Sequence, residues 1–195
     1  WPSDIVHFDD EGRVTYLNLG NKRLRRGLDS IDTIFGSFPF LASLNLGGTD
    51  LPLDQVRQVL YLVGPAIECL FLGGNGYRNE ICSLLADWMF SASRLSKLDL
   101  RYNDIDSSGL AQLCEGLGSV RYLYLEGNQI EDLEPLSVFL KRDESMIQEL
   151  YLGANNVGPA GAEQLSTVLA NNKGGRYRFK LVDVAVLCAV QLRCP

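Results

Sequence analysis

The sequence predicts an α/β solenoid, built by stacking one short strand–helix unit several times over. Three observations carry this. A pair of leucines flanking one variable residue recurs six times, with the first leucines 27, 26, 28, 25 and 27 residues apart. After each pair comes a second pattern, apolar at i, i+3, i+4 and i+7, which is the period of a helix. The chain has 195 residues, 46% of them hydrophobic and 22% charged, enough apolar side chain for one continuous core. A single domain over residues 1–195 is expected.

The leucine pairs are Leu17-Asn18-Leu19, Leu44-Asn45-Leu46, Leu70-Phe71-Leu72, Leu98-Asp99-Leu100, Leu123-Tyr124-Leu125 and Leu150-Tyr151-Leu152. Another apolar residue precedes each pair by three positions (Val14, Leu41, Ile67, Leu95, Val120, Ile147). Three positions after each pair stand Lys22, Thr49, Asn75, Asn103, Asn128 and Asn155, completing LxxLxLxxN. The helical stripes follow as Ile31/Ile34/Phe35/Phe38, Val56/Val59/Leu60/Val63, Ile81/Leu84/Leu85/Trp88 and Leu110/Leu113/Cys114/Leu117. In the last two, Leu133/Leu136/Ser137/Leu140 and Ala162/Leu165/Ser166/Leu169, a serine takes the third place. Asp106 and Ser107 mark one helix start, Gly158-Pro159 opens the sixth helix, and Asn171-Asn172-Lys173-Gly174-Gly175 marks its stop.

"LSKLDLRYNDIDSSGLAQLCEGL" and "IQELYLGANNVGPAGAEQLSTVLANN" resemble leucine-rich repeats of the ribonuclease-inhibitor-like type, a type shared with Ran GTPase-activating proteins, NOD-like receptors and tropomodulin-like regulators. The resemblance spans residues 14–170 and implies a horseshoe with a parallel concave sheet and convex helices. Spacings of 25 to 28 depart from the 28/29 alternation of ribonuclease inhibitors, and only Cys114 takes the helical cysteine place. The opening from Trp1 through "EGRVTYLNLGNKRLRRG" is similar to the tryptophan-led cap of plant-type arrays, without their paired cysteines. Residues 5–8, the turn Asp9-Asp10-Glu11-Gly12 and residues 13–19 read as a hairpin covering the first sheet edge, so residues 1–13 are assigned to an N-terminal cap. Residues 171–195 are assigned to a degenerate seventh repeat, with Phe179-Lys180-Leu181 in strand register, and a C-terminal cap over 181–190.

Composition narrows the function classes. The charge sum is 18 − 24 = −6 with pI near 4.8, which argues against nucleic acid as a partner. No apolar run reaches the ~18 residues of a membrane span, so no membrane insertion is expected. Because the chain opens with Trp1, it reads as a fragment or processed product. Five cysteines form no CxxC pair, and only Cys188 and Cys194 stand close enough in sequence to bridge. No asparagine sits in an N-x-S/T acceptor, and together these point to a reducing, cytoplasmic setting.

No catalytic constellation emerges. The single histidine, His7, falls in the capping hairpin, where it reads as a surface residue. Gly73, Gly74 and Gly76 imitate a phosphate loop but lie inside a repeat, and no GKS/T follows. No enzymatic activity, metal or cofactor is expected. Two basic clusters, Lys22/Arg23/Arg25/Arg26 and Lys173/Arg176/Arg178/Lys180, read first as solvated loops and second as contacts for an acidic partner. The motif asparagines read as structural, since a carboxamide can both donate to and accept from the turns of adjacent repeats. Thr49 can do this in part and Lys22 cannot accept at all.

In a strand alternate side chains face opposite ways, so the leucines point inward and their neighbours form an outward row. The row reads Tyr16/Asn18/Gly20, Ser43/Asn45/Gly47, Cys69/Phe71/Gly73, Lys97/Asp99/Arg101, Tyr122/Tyr124/Glu126 and Glu149/Tyr151/Gly153. From the third repeat onward Phe71, Asp99, Arg101, Tyr102, Tyr122, Tyr124, Glu126, Glu149 and Tyr151 make a patch rich in the residue types that dominate binding hot spots. The alternative is that stacked tyrosines support one another as sheet neighbours. The leading expectation is a non-enzymatic module that binds a protein or peptide on this concave face. Two rivals are a receptor-type domain for a non-protein ligand such as a carbohydrate, and a GTPase-regulating accessory implied by the resemblance alone. Nothing in the sequence fixes the oligomeric state.

Overall fold

The computed structural model describes residues 5–26 and 28–170. Seven strands form one sheet in the order β1-β2-β3-β4-β5-β6-β7, following the chain. They are β1 (Val6–Phe8), β2 (Val14–Asn18), β3 (Ser43–Asn45), β4 (Cys69–Phe71), β5 (Lys97–Asp99), β6 (Tyr122–Tyr124) and β7 (Glu149–Tyr151). Six helices alternate with them from β2 onward: α1 (Ile31–Phe35), α2 (Leu53–Val63), α3 (Arg78–Met89), α4 (Ser107–Cys114), α5 (Glu134–Leu140) and α6 (Pro159–Ala170). The β1–β2 pair is antiparallel, and every later pair is parallel. The α/β solenoid expected from the two periodicities is therefore what the chain forms.

Register follows the leucines. Leu17, Leu44, Leu70, Leu98, Leu123 and Leu150 stand side by side across β2 to β7. All six are buried, as are the second leucines Leu46, Leu72, Leu100, Leu125 and Leu152; Leu19, beside the first edge, is only partly so. The helical stripes meet them from the other side: Val56, Val59, Leu60, Ile81, Leu85, Leu110, Leu113, Leu136 and Leu165 all belong to the same buried cluster. Stacking gives each stripe from α2 to α5 an apolar neighbour before and after it, which no single unit of this length could provide alone.

The motif asparagines stitch the turns together. Asn128 donates through Nδ2 to the carbonyls of Leu100 (3.0 Å) and Leu125 (2.8 Å), while its Oδ1 accepts from the backbone N–H of Asn103 and Ile105, both at 3.0 Å. Asn75, Asn103 and Asn155 make the equivalent bonds one repeat apart. The Thr49 hydroxyl donates to the carbonyl of Leu46, at 2.7 Å, and weakly to Asn75 Oδ1, at 3.5 Å, and Lys22 is exposed. Helix starts obey local chemistry as well. Asp106 caps α4 by accepting from the backbone N–H of Ser108 (2.7 Å) and Gly109 (3.1 Å), and Pro159 is the first residue of α6.

Two stripes end early. Phe38 lies beyond α1, whose lead-in residue Ser30 has a left-handed backbone and no side-chain cap bond, and Leu117 falls in a separate single turn at Leu117–Ser119. The expected strand at 179–181, the cap over 181–190, the second basic cluster and Cys188/Cys194 lie outside the described residues.

Candidate functional site

Parity places the outward row where the sequence puts it, and register turns it into three columns across the sheet. The central column is Asn18, Asn45, Phe71, Asp99, Tyr124 and Tyr151. Its members divide into two chemical types. Asn18, Asn45 and Asp99 each accept, through Oδ1, the backbone N–H two residues on, at Gly20, Gly47 and Arg101, over 2.9 to 3.0 Å. These are turn-forming side chains bent back on their own backbone. Phe71, Tyr124 and Tyr151 make no such turn and are half-buried.

Asp99 departs from the expected exposed placement. It is buried, with 6% of its side chain accessible, and lies beneath the Arg101 guanidinium, whose Nη2 is 2.6 Å from its Oδ2. Arg101 Nε adds contacts to both carboxylate oxygens at 3.0 and 3.1 Å. An aspartate two residues before an arginine can fold back on it, so the pair was legible in principle; alternation alone does not reveal it. Asp99 thus positions Arg101 and does not itself present charge to a partner. Hydrogen bonding to Asp99 raises the Arg101 pKa above its ordinary value, partial burial opposing.

Tyr102 departs in a different way. It lies beyond the strand, in the turn, with φ 53, and is 62% exposed. The same turn position holds Asn21, Gly48, Gly74, Gly127 and Ala154 in the other repeats, all at positive φ. A bulky aromatic residue is disfavoured there, and such strain collects at functional sites. Gly127 makes the conformation possible: a Cβ at that position would overlap Cδ1 and Cε1 of the Tyr102 ring.

The remaining tyrosines form a contiguous surface. Tyr124 stacks on Tyr151 with ring centroids 4.6 Å apart and planes at 14°. The Tyr151 hydroxyl donates to Glu149 Oε2 at 2.8 Å. Lys97 lies over the Tyr122 ring at 5.5 Å and Arg101 over Tyr124 at 5.6 Å, so repeat four supplies cations to the rings of repeat five. Glu126, half-buried beside them, has one carboxylate oxygen that is closed to solvent and lacks a hydrogen-bond partner among the described residues. Burial raises the Glu126 pKa; its own backbone N–H and Arg101 pull the other way. Of the nine residues expected to form the patch, seven stand in the outward columns of repeats three to six, Asp99 is covered by Arg101, and Tyr102 lies in the turn.

Overlapping the patch at Phe71, Asp99, Arg101 and Tyr102 lies a cleft of about 420 Å³ that sequence reading missed, completed by Asn21, Asn45, Gly47, Gly48, Gly73 and Gly74. Its signal was the run of glycines after the leucine pairs, Gly20, Gly47 and Gly73, followed by Arg101. Gly73 keeps the approach open: a Cβ there would come within 3.1 Å of Asp99 Oδ1 and 3.2 Å of the Arg101 carbonyl. Among the cysteines, burial pushes the thiols of Cys82 and Cys114 up to about 12 and raises that of half-buried Cys69 above its ordinary value. None of these three described cysteines has the lowered pKa of a nucleophile. The first basic cluster, Lys22, Arg23, Arg25 and Arg26, is exposed. No described helix is long and apolar enough to cross a membrane.

Comparison with known proteins agrees with this architecture. Residues 94–114 match the Leucine Rich repeat family model. Over 80 residues the chain is 40% identical to the NACHT, LRR and PYD domains-containing protein 1a allele 1 of Rattus norvegicus, and 35% identical to the 1a protein of Mus musculus. Each match covers 40% of this chain and 7% of the relative, so the chain corresponds to a small part of those proteins. The crystal structure of the leucine-rich repeat-containing protein LegL7 from Legionella pneumophila superposes with a TM-score of 0.61 at 23% identity, over 95% of this chain and 67% of that one. Six in-register LxxLxLxx units on six parallel strands, the repeat match at residues 94–114 and the shared fold together make this a leucine-rich repeat fold.

Proposed function

We propose that the chain is a non-enzymatic interaction module that binds a protein or peptide on the concave face of repeats three to six. Leucine-rich repeat domains generally mediate protein–protein interaction. The observation that carries the reading is Tyr102: an aromatic side chain, 62% exposed, held in a left-handed turn where the other repeats put Asn, Gly or Ala. Core packing does not call for it, and its ring lies over Gly127 of repeat five. Tyr122, Tyr124 and Tyr102 are the anchors; Phe71, Tyr151, Glu126 and Glu149 extend the surface, and Arg101, held by Asp99, sets the charge at its centre. The ribonuclease-inhibitor-like subtype and a cytoplasmic setting belong to the same proposal, the latter supported by the free thiols of Cys69, Cys82 and Cys114.

The test is parallel affinity capture with three baits followed by quantitative mass spectrometry. A protein recovered by the wild type and by an Asn18→Ala/Asn45→Ala variant, but lost with Tyr124→Ala, supports the reading. A partner retained by Tyr124→Ala and lost with the asparagine variant places binding elsewhere. The cleft gives a second reading some support, because the carboxamides of Asn21 and Asn45 beside Phe71 and Tyr102 are groups that suit a carbohydrate. Binding on a glycan array that falls with Asn45→Ala and persists with Tyr124→Ala would favour that ligand.

A further inference from the structure

The glycine-floored cleft is lined by donors. Its floor is the backbone of Gly47, Gly48, Gly73 and Gly74, and a Cβ at Gly47 would come within 3.1 Å of the Gly73 carbonyl, so the missing side chains hold it open. In repeats one, two and four the backbone N–H two places after the central column is taken up by Asn18, Asn45 and Asp99. Phe71 fills that column in repeat three and has no oxygen to offer. The Gly73 N–H therefore has no acceptor among the described residues, and it lies at the edge of the cleft, on the side where the other repeats form their turns.

Arg101 forms the wall towards repeat five. Asp99 grips its Nε–Nη2 edge, and the guanidinium lies over the Tyr124 ring at 5.6 Å. Nη1 makes no bond among the described residues, which leaves the Nη1–Nη2 edge free and the guanidinium fixed before anything binds. The charge presented is positive: Asp99 is the one carboxylate among the lining residues, and its side chain is 6% accessible against 44% for Arg101. Glu126, which also acts on Arg101, stands in repeat five and does not line the cleft. Asn45, whose Oδ1 already accepts the Gly47 N–H, adds its Nδ2 as a further donor. Phe71 and Tyr102 supply rings that exclude water and strengthen a charge pair. A guanidinium edge, a backbone N–H and a carboxamide N–H thus line one space, and the group that satisfies all three is a carboxylate.

We propose that the cleft receives an aspartate or glutamate side chain of the partner polypeptide, its carboxylate held by Arg101 and the Gly73 N–H. The outward columns run on past the cleft on both sides, to Asn18 and to Tyr124, so a polypeptide laid along them crosses the cleft and does not end in it. This rests on the reading of the face as a protein-binding surface, and deepens it by naming the partner's chemistry.

The probe is a randomised dodecapeptide display library selected on the immobilised chain, followed by titration of one selected peptide and its Asp→Asn or Glu→Gln analogue. Selected peptides should be enriched in aspartate and glutamate, and the acidic peptide should bind about tenfold or more tightly than its analogue, as for a charge-assisted bond. Arg101→Ala combined with Asp99→Asn leaves the net charge unchanged and restores the turn of repeat two; it should bring the two peptides within about twofold of each other. A thermal melt confirms that this variant is folded. Raising the salt should weaken the acidic peptide on the wild type and leave the analogue nearly unchanged, a reading that needs no variant. Peptides that depend on Tyr124 without acidic enrichment, or acidic peptides indifferent to the double variant, overturn the carboxylate and leave the face. Affinity lost on amidating the peptide's C-terminus, and kept on neutralising its side chains, overturns the proposal in favour of a terminal carboxylate. Acidic peptides lost with the double variant and indifferent to Tyr124→Ala support the cleft and overturn the tyrosine anchors. A neutral oligosaccharide that binds the wild type and is lost with Asn45→Ala, with no acidic peptide selected, gives the cleft to a sugar and overturns the proposal.

Discussion

Arg101 covers Asp99: its Nη2 lies 2.6 Å from Oδ2, with 44% of the arginine side chain accessible against 6% of the aspartate's. The same column position in repeats one and two is an asparagine that makes the equivalent turn without an arginine. The pair therefore adds a positive charge to a turn that needs none to form, at the boundary between the glycine-lined cleft and the tyrosines.

Arg101→Ala should destabilise the fold by about 1–3 kcal/mol, because it leaves a buried carboxylate with only its backbone N–H partner. Adding Asp99→Asn should recover most of that loss, since the double variant recreates the Asn45 turn. Chemical denaturation of the two single variants and the double variant measures the coupling directly. Additive effects would contradict the pairing.

Asn128→Ala should cost about 1–3 kcal/mol, as it strands the buried N–H groups of Asn103 and Ile105 and leaves the carbonyls of Leu100 and Leu125 with one amide donor each, Asn103 and Asn155. Lys22→Ala, at the same motif position in repeat one, should leave the melting temperature nearly unchanged. Equal shifts would mean that the ladder contributes nothing specific.

Gly127→Ala should displace the Tyr102 ring and destabilise the chain by about 1 kcal/mol or more, since φ at Gly127 is 69 and the new methyl group occupies the ring's place. Gly118→Ala, with open space around it and no positive φ, is the matched control. Tyr102 fluorescence is obscured by the other tyrosines, so the readout is melting temperature together with partner affinity. Affinity should fall with Gly127→Ala alone.

Glu126 links stability to pH. Burial raises its folded-state pKa above the unfolded value, so the folded chain binds that proton more tightly. Its favourable contribution is present below the ordinary carboxylate pKa and is lost as pH rises through the raised one. Glu126→Gln should thus be at least as stable as the wild type at neutral pH, the advantage shrinking below about pH 4.3, the ordinary glutamate value. A variant clearly less stable at pH 7 would show that the carboxylate is compensated within the fold.

The fold was legible because both of its periods are written in leucines: a strand whose alternate residues are Leu44 and Leu46 has one way to face a helix carrying Val56, Val59 and Leu60. The outward columns were legible for the same reason. What alternation could not convey was local chemistry within the row. Asp99 is outward by parity and buried by Arg101, and Tyr102 leaves the row because its turn is left-handed. The cleft escaped notice because glycines carry no side chain to read, although Gly47 and Gly73 mark its floor.

The measurement that bears most directly on the account is calorimetric titration of the captured partner against Tyr124→Ala and against the Asn18→Ala/Asn45→Ala variant, each paired with a thermal melt. Tyr124 faces away from the core, so its truncation should shift stability by about 1 kcal/mol or less, in the range of cross-strand pairs. The same change should weaken the partner by about 2 kcal/mol or more, nearly thirtyfold in affinity, while the asparagine variant binds as the wild type does. Normal binding by Tyr124→Ala, with affinity lost in the asparagine variant, would contradict the account and move the site to the first two repeats.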